Sequence, residues 1–131
     1  FQDLLSILYS NGQPTFLSTV LSFSLTVVVA PISEELIDRG YFMNTFFPQS
    51  KYYLDVILSA LIFGLGHLIL THRDPISLII FSFAGLFYAL VYRWTKNLKI
   101  TILCHSFFNF LIYAKPIWIF VYNYVYYHFF R

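Results

Sequence analysis

Seven polar side chains have the types and spacing for chemistry in a chain that is otherwise strongly apolar. They are Glu34, Glu35, Asp38, Arg39, His67, His105 and Asn109. The first four lie in the stretch SEELIDRGYF, directly after the apolar run FSLTVVVAP. Ionisable side chains are costly inside a membrane, so each one there is a candidate functional residue.

The two adjacent glutamates are predicted to have different tasks. Glu35 and Arg39 are four residues apart, which is the spacing of an ion pair on one helix face. Arg39 is therefore interpreted as the counter-charge that lets Glu35 stay ionised. Glu34 points about 100° away on the same helix. A glutamate in such a setting is a competent general base for a water molecule.

The histidines supply groups that amide hydrolysis needs. His67 could share the water with Glu34 or protonate a leaving amine. His105 and Asn109 are four residues apart, so one helix face presents both. An imidazole and an amide can donate hydrogen bonds to a developing oxyanion. The set predicts amide hydrolysis without a covalent intermediate.

Two other interpretations stay open at this point. Two histidines and a glutamate can ligate a divalent metal such as zinc with one position open, and the ligands would be Glu34, His67 and His105. The spacing H-E-x-x-H is absent from the sequence. Alternatively, a buried Glu–Arg pair and isolated histidines can be purely structural. Polar side chains in membrane proteins often only form hydrogen bonds between helices.

The composition predicts the class of protein that positions these residues. The chain has 131 residues, of which 59% are hydrophobic and only 11% charged, against about 25% charged in a typical soluble domain. We therefore expect an all-α fold, a polytopic membrane helix bundle with four to five transmembrane helices. The first predicted span begins near Thr15 and runs through the charged stretch to about Phe47. The next three cover 52–71, 75–94 and 99–114, and 116–130 is either a fifth span or an interfacial helix.

Counting residues from the loops predicts that the polar groups meet at one depth. Glu34 lies 17 residues before Lys51 and His67 lies 16 residues after it. In an antiparallel helix pair these two positions face each other. Pro31 is expected to break or kink the first span just before the glutamates. The glycines Gly64, Gly66 and Gly85 are interpreted as sites of close helix packing.

The charges bear on orientation and on partners. If the spans alternate, most of the loop cations lie on the same side of the membrane. The positive-inside rule predicts that this side is cytoplasmic. The cations on it are Lys51, Arg93, Lys96, Lys99 and Arg131. The net charge of +2 is too small to indicate nucleic acid. The chain begins at Phe1 without a leader pattern, so we expect a single domain, 1–131, from a longer membrane protein. The sequence does not indicate an oligomeric state.

Three motifs in fixed order resemble a known family. EELIDR fits E-E-x-x-x-R, FGLGH fits F-x-x-x-H, and HSFFN fits H-x-x-x-N. Over residues 28–112 the chain resembles the CPBP family, the CAAX proteases and bacteriocin-processing enzymes also called Abi. That family consists of intramembrane peptidases, including the endopeptidase that trims prenylated CAAX proteins and bacterial members linked to bacteriocin immunity and processing.

The resemblance implies a role for each motif residue. Glu34 would activate the water with His67, His105 and Asn109 would form the oxyanion site, and Glu35 and Arg39 would support it. Asp38 departs from the phenylalanine that the family often has before the arginine, and it could compete for the guanidinium. The expected function is an intramembrane endopeptidase acting on a membrane-associated protein or peptide, in the lipid bilayer of a bacterial plasma membrane. The alternative is a catalytically inactive adaptor or immunity protein with the same fold.

Overall fold

A computed structural model describes residues 9–10, 13–14, 16–70 and 74–130 of the chain. It divides into two compact units. One consists of residues 31–105, and the other consists of residues 1–30 together with 106–131. The boundaries fall inside two long helices, so each unit contains parts of both. Apart from one short strand pair, the described elements are helices, and the predicted all-α class is confirmed.

Helix α1 covers Phe16–Met43 and contains two π-helical segments, Leu25–Val29 and Leu36–Met43. Proline cannot donate to the carbonyl four residues earlier, and its ring clashes with that carbonyl in a regular α-helix. The first π segment immediately precedes Pro31, and there Ala30 N–H bonds Leu25 O, five residues back. In apolar helices, local π-helical adjustments can satisfy the backbone groups that a proline leaves free. The predicted break at Pro31 is therefore a change of helix type within a continuous helix.

Helices α2 and α3 form the hairpin of the 31–105 unit. α2 covers Leu54–Leu70 and α3 covers Pro75–Thr95. Asp74 caps the start of α3, because its carboxylate accepts from the backbone N–H groups of Ile76 (2.9 Å) and Ser77 (3.2 Å). Pro75 occupies the first turn of α3, as predicted, since its missing N–H has no helical partner there.

Helix α4 covers Leu98–Phe129 without interruption, and this corrects one boundary. The sequence predicted two separate helices, 99–114 and 116–130, divided at Lys115 and Pro116. Apolar helices tolerate an internal proline when neighbouring groups satisfy the freed carbonyl, so this residue does not end the helix. At 32 residues, α4 is about 48 Å long, well over the ~30 Å thickness of a bilayer core.

Two helices in the described part of the chain are long and apolar enough to cross a membrane, Phe16–Met43 and Pro75–Thr95. A third apolar helix, Leu54–Ile69, is shorter. Many of their large apolar side chains are exposed on the protein, including Ile37 at 62% and Phe83 at 67%. Such surfaces suit a lipid environment better than water.

Close packing between α2 and α3 depends on glycine at two positions. A Cβ on Gly85 would lie 2.9 Å from Phe63 Cβ and 3.1 Å from Ala60 Cα, and one on Gly64 would lie 2.9 Å from Leu78 O. These contacts confirm the predicted role of both glycines. The same prediction for Gly66 is wrong, because a Cβ there would meet nothing within 4 Å.

Near the α1–α2 turn, an ion pair joins the start of α2 to the end of α3. Arg93 Nη1 lies 2.6 Å from Asp55 Oδ2, Nη2 donates to Ser50 O at 3.0 Å, and the guanidinium lies 4.0 Å from the ring centroid of Tyr53. Asn44 closes the end of α1, since its amide donates to Gly40 O at 2.9 Å. These contacts fix the end of α1, the start of α2 and the end of α3.

The other unit contains the short strand pair and the beginning of α1. Strand β1, Tyr9–Ser10, pairs antiparallel with strand β2, Gln13–Pro14. Phe23 packs edge-on against Phe110 and Tyr113, which lie on α4. The Tyr113 hydroxyl donates to Thr19 O at 3.1 Å. Aromatic edge contacts therefore join α1 and α4 within this unit.

Replacing Gly85 by alanine is expected to destabilise the hairpin. The added methyl group would lie under 3 Å from Phe63 Cβ, and forced overpacking costs about 1–3 kcal/mol. The free energy of unfolding, measured in detergent, should fall by that amount. Gly66→Ala is the matched control: its methyl group has open space, and alanine is the better helix former by up to about 1 kcal/mol. Equal effects of the two substitutions would contradict this packing.

Candidate active site

A buried guanidinium lies at the centre of the candidate site. Arg39 is 0% exposed. Its Nε lies 3.2 Å from Glu35 Oε2, its Nη1 donates to Glu35 Oε1 and to Asp38 Oδ2 at 3.2 Å each, and its Nη2 donates to Gly85 O at 2.7 Å. The guanidinium also lies 5.1 Å from the ring centroid of Phe63. The predicted Glu35–Arg39 pair is present, and it anchors α1 to the backbone of α3.

Glu35 connects this ion pair to His105. Its side chain is fully buried, and Oε1 lies 2.9 Å from His105 Nδ1. A carboxylate ion-paired with Arg39 can only accept hydrogen bonds, so we expect Nδ1 to carry the proton and to donate to Glu35. The second ring nitrogen, Nε2, is then an acceptor in the neutral ring and a donor only in the imidazolium. Glu35 thereby fixes which nitrogen of His105 is available for chemistry.

Two aromatic rings hold His105 in this orientation. The His105 ring stacks on Tyr88 with centroids 4.4 Å apart and an interplanar angle of 18°, and it packs edge-on against Phe63 at 5.6 Å. Tyr88 is 4% exposed. Sequence reasoning missed Tyr88, although it lies on the same face of α3 as Gly85, three residues away. In a chain with 11 tyrosines and 16 phenylalanines, one aromatic residue does not stand out.

Glu34 faces away from the ion pair and into a cleft. Its Oε2 lies 3.7 Å from His105 Nε2, which is too long for a hydrogen bond. This oxygen is buried and makes no hydrogen bond to the described residues, while the side chain as a whole is 32% exposed. Oε2 of Glu34 therefore lies beside the His105 imidazole but makes no hydrogen bond that holds the described structure together.

The cleft that Glu34 lines lies between α1 and α2 and has a volume of about 270 Å³. Its polar lining is Glu34, Asp38 and His67, and its apolar lining is Ile37, Ile62 and Phe63, with Gly66 beside them. His67 Nδ1 lies 3.0 Å from Phe63 O, and its ring stacks on Phe81 at 4.1 Å. Glu34 and His67, which residue counting predicted to lie level, both line this cleft.

Asp38 does contact the arginine, as its position suggested. Its carboxylate shares Arg39 Nη1 with Glu35 and is 9% exposed. Glu35 nevertheless keeps contacts to two guanidinium nitrogens. Asp38 therefore adds a carboxylate to the cleft wall without displacing Glu35 from Arg39.

Asn109 belongs to the other compact unit. Its side-chain amide donates to Thr26 O at 2.9 Å, which is a contact within that unit. The assignment of Asn109 to an oxyanion site remains an implication of the motif. The candidate site lies within the 31–105 unit and contains Glu34, Glu35, Arg39, His67 and His105.

The side chains suggested as metal ligands meet only some of the requirements of a metal site. Histidine ligands of metals commonly donate their second ring nitrogen to a carboxylate or a backbone carbonyl, and the Nδ1 atoms of His105 and His67 lie against such acceptors. Within the described ranges, however, no group of three or more His, Cys, Asp or Glu side chains is placed to hold an ion. The closest of these groups are His105 and the carboxylates of Glu34 and Glu35, one at each ring nitrogen.

The family model described as "Type II CAAX prenyl endopeptidase Rce1-like" matches residues 16–111. This range contains the residues of all three motifs, from Glu34 to Asn109. No solved structure matches the chain significantly.

Two bacterial proteins are similar to this chain. An uncharacterized protein of Mycoplasma capricolum is 31% identical over 109 residues, which is 82% of this chain and 31% of that protein. A Bacillus subtilis protein named "Putative membrane peptidase YdiL" is 27% identical over 89 residues, 68% of this chain and 34% of that protein. The chain spans about a third of the length of both relatives.

Replacing Arg39 by methionine should strongly destabilise the protein. The substitution would leave Glu35 buried without its counter-charge, and breaking a buried ion pair costs about 3–5 kcal/mol. The double variant Glu35→Gln, Arg39→Met should recover part of this loss, because no unpaired charge remains. Unfolding in detergent measures both. A single variant that loses less than the double variant would contradict the pairing.

The proton of the His105 ring should lie on Nδ1. Nitrogen-15 chemical shifts of histidine-labelled protein in detergent distinguish the two tautomers of the neutral ring, and His105→Gln assigns the signal. Tyr88→Leu should broaden or shift this signal because it removes the stacked ring, whereas Tyr88→Phe should preserve it. A neutral ring protonated on Nε2 in the wild-type protein would show that Glu35 does not orient His105.

Proposed function

We propose that this chain is an intramembrane endopeptidase, and the premise is its family: the chain belongs to the Rce1-like family of type II CAAX prenyl endopeptidases. The resemblance drawn from the three motifs is thereby confirmed. Membership supports a membrane-embedded hydrolase of peptide bonds at the level of the family. The residues that would carry the reaction, and its mechanism, are our proposal for this chain.

The observation that carries the proposal is the position of Glu34. Its Oε2 is buried, makes no hydrogen bond to the described residues and lies 3.7 Å from His105 Nε2. The Glu34 side chain as a whole is 32% exposed and lines the cleft. Its carboxylate can therefore contact a water in the cleft that is placed for attack on a bound amide.

The proposed reaction uses this water directly. Glu34 accepts one proton from the water as general base, and the water oxygen attacks the carbonyl carbon of the scissile peptide. The resulting tetrahedral oxyanion is stabilised by hydrogen-bond donors, and His105 Nε2 can donate when the ring is protonated. The C–N bond then breaks, and the proton held by Glu34 goes to the leaving amine. The second hydrogen of the water stays on the new acid, so the products are a carboxylic acid and an amine, which leave as a carboxylate and an ammonium ion after that proton is exchanged.

The remaining site residues act on these groups. Glu35 orients His105, and Arg39 holds Glu35 against α3 through Gly85 O. His67 faces Glu34 across the cleft and is suited to assist the water or the leaving amine. Asn109 is assigned to the oxyanion site by motif alone.

The proposed substrate is a peptide segment that reaches the cleft from the membrane. Apart from its three ionisable residues, the cleft has an apolar lining. The helices that form the cleft also have apolar outer surfaces. Both relatives are bacterial, which supports a bacterial plasma membrane as the location. A role in bacteriocin processing or self-immunity is one setting for such a peptidase.

A second candidate is a non-catalytic adaptor with the same fold. The observation that favours it is Asp38, whose carboxylate shares Arg39 with Glu35. We rank it second because Glu35 retains its contacts with both Arg39 and His105.

Replacing Glu34 by glutamine should abolish cleavage while the fold is kept. Loss of a general base lowers the rate by about 10²–10⁴-fold, and the buried Oε2 has no protein hydrogen bond to lose. The measurement is cleavage of a quenched membrane-peptide library by detergent-purified protein. Asp74→Asn, a matched change at the cap of α3, should leave cleavage intact. A Glu34→Gln variant as active as the wild type would refute the mechanism; folded wild-type protein without any activity would favour the adaptor.

Chelation tests the metal alternative on the same library. We expect cleavage to persist in excess chelator, because the catalytic pair is a carboxylate and an imidazole beside a fixed guanidinium. Activity that is lost on chelation and restored by zinc would instead assign Glu34, His67 and His105 as ligands.

A further inference from the structure

Three glycines lie along the α2–α3 hairpin, and one of them differs from the others in what surrounds it. Gly64 and Gly85 have the opposite helix where a Cβ would be, so packing explains them. Gly66 has open space within 4 Å of that position. Close helix packing in the described structure therefore does not account for a glycine at position 66.

A glycine inside a helix has an energetic cost. It is less favourable than alanine by about 0.8–1 kcal/mol, and Gly66 lies well within α2, Leu54–Leu70. Glycine is typical of places where a ligand must approach the backbone closely. A functional reason is thus the natural explanation for a glycine that no neighbour requires.

Gly66 lies in the wall of the cleft that contains Glu34. On α2, Ile62 and Gly66 are four residues apart and share one face, and Phe63 and His67 form the neighbouring row. All four line the cleft. The row of Ile62 and Gly66 is therefore an apolar surface that ends in bare backbone directly beside His67.

We propose that Gly66 is a specificity-determining residue: its missing side chain leaves room in the cleft for a large apolar side chain of the substrate, next to the scissile bond. The proposal rests on the proposed peptidase function. The chemistry that would be recognised is that of leucine, isoleucine or phenylalanine, because the surrounding surface consists of Ile37, Ile62 and Phe63. A side chain at position 66 would occupy the same space.

The test compares cleavage-site profiles. A library of apolar peptides in liposomes is cleaved by the wild type, Gly66→Ala and Gly66→Leu, and mass spectrometry identifies the residues that flank each cleaved bond. Adding one methyl group to an apolar pocket changes selectivity by about 10–200-fold. The Gly66→Ala variant should lose kcat/KM for bonds flanked by Leu, Ile or Phe relative to bonds flanked by Ala or Gly. Gly66→Leu should lose the former almost entirely.

The control is Leu65→Phe, which also adds bulk to α2 but at an exposed position (43%) outside the cleft. Its profile should match that of the wild type. Because a methyl group at position 66 meets nothing within 4 Å, Gly66→Ala should unfold no more easily than the wild type. This separates a lost substrate site from a lost fold.

The outcomes distinguish the two proposals. If the wild type cleaves the library and both Gly66 variants keep its flanking-residue profile, the specificity role is overturned while the peptidase function stands. If the wild type cleaves nothing, the peptidase function fails and this inference fails with it. A profile that shifts to small residues in Gly66→Ala, but not in Leu65→Phe, is the result that we expect.

Discussion

The burial of the Arg39 guanidinium is the constraint on which the rest of the site depends. A guanidinium does not lose its proton in proteins, so a fully buried one requires acceptors for its donors and a negative charge nearby. Glu35 supplies two of these contacts, Asp38 one and Gly85 O one. The contact with Gly85 O requires α1 to lie against α3. The close approach of Phe63 to Gly85 then brings α2 to the same place.

One consequence is a division of labour between two adjacent glutamates. Successive helix positions point about 100° apart, so only one of the two carboxylates can face the guanidinium. Glu35 faces it and is used for structure and for orienting His105. Glu34 faces the cleft, beside the other nitrogen of the same ring. Glu35 thus cannot be replaced without loss of structure, whereas Glu34 is available for proton transfer.

Much of this site could be predicted from local spacing, and the parts that could not depend on distant contacts. The i,i+4 relation of Glu35 and Arg39 predicted their ion pair, and residue counts around Lys51 predicted that Glu34 and His67 would lie level. The Arg39–Gly85 bond joins residues 46 positions apart, and the stacking of Tyr88 on His105 depends on three-dimensional packing. Gly66 was misjudged for a similar reason, because a sequence does not show what lies opposite a glycine. The boundary at Pro116 was wrong because proline alone does not end an apolar helix.

The measurement that tests this account most directly compares the unfolding free energies of Glu34→Gln and Glu35→Gln in detergent. The two substitutions are chemically identical and one residue apart. The account predicts little change for Glu34→Gln, since the buried oxygen of Glu34 has no protein hydrogen bond to lose. It predicts a loss of about 3–5 kcal/mol for Glu35→Gln, since Arg39 would remain buried without its main partner. Equal losses, or a larger loss at Glu34, would contradict the division between the two glutamates.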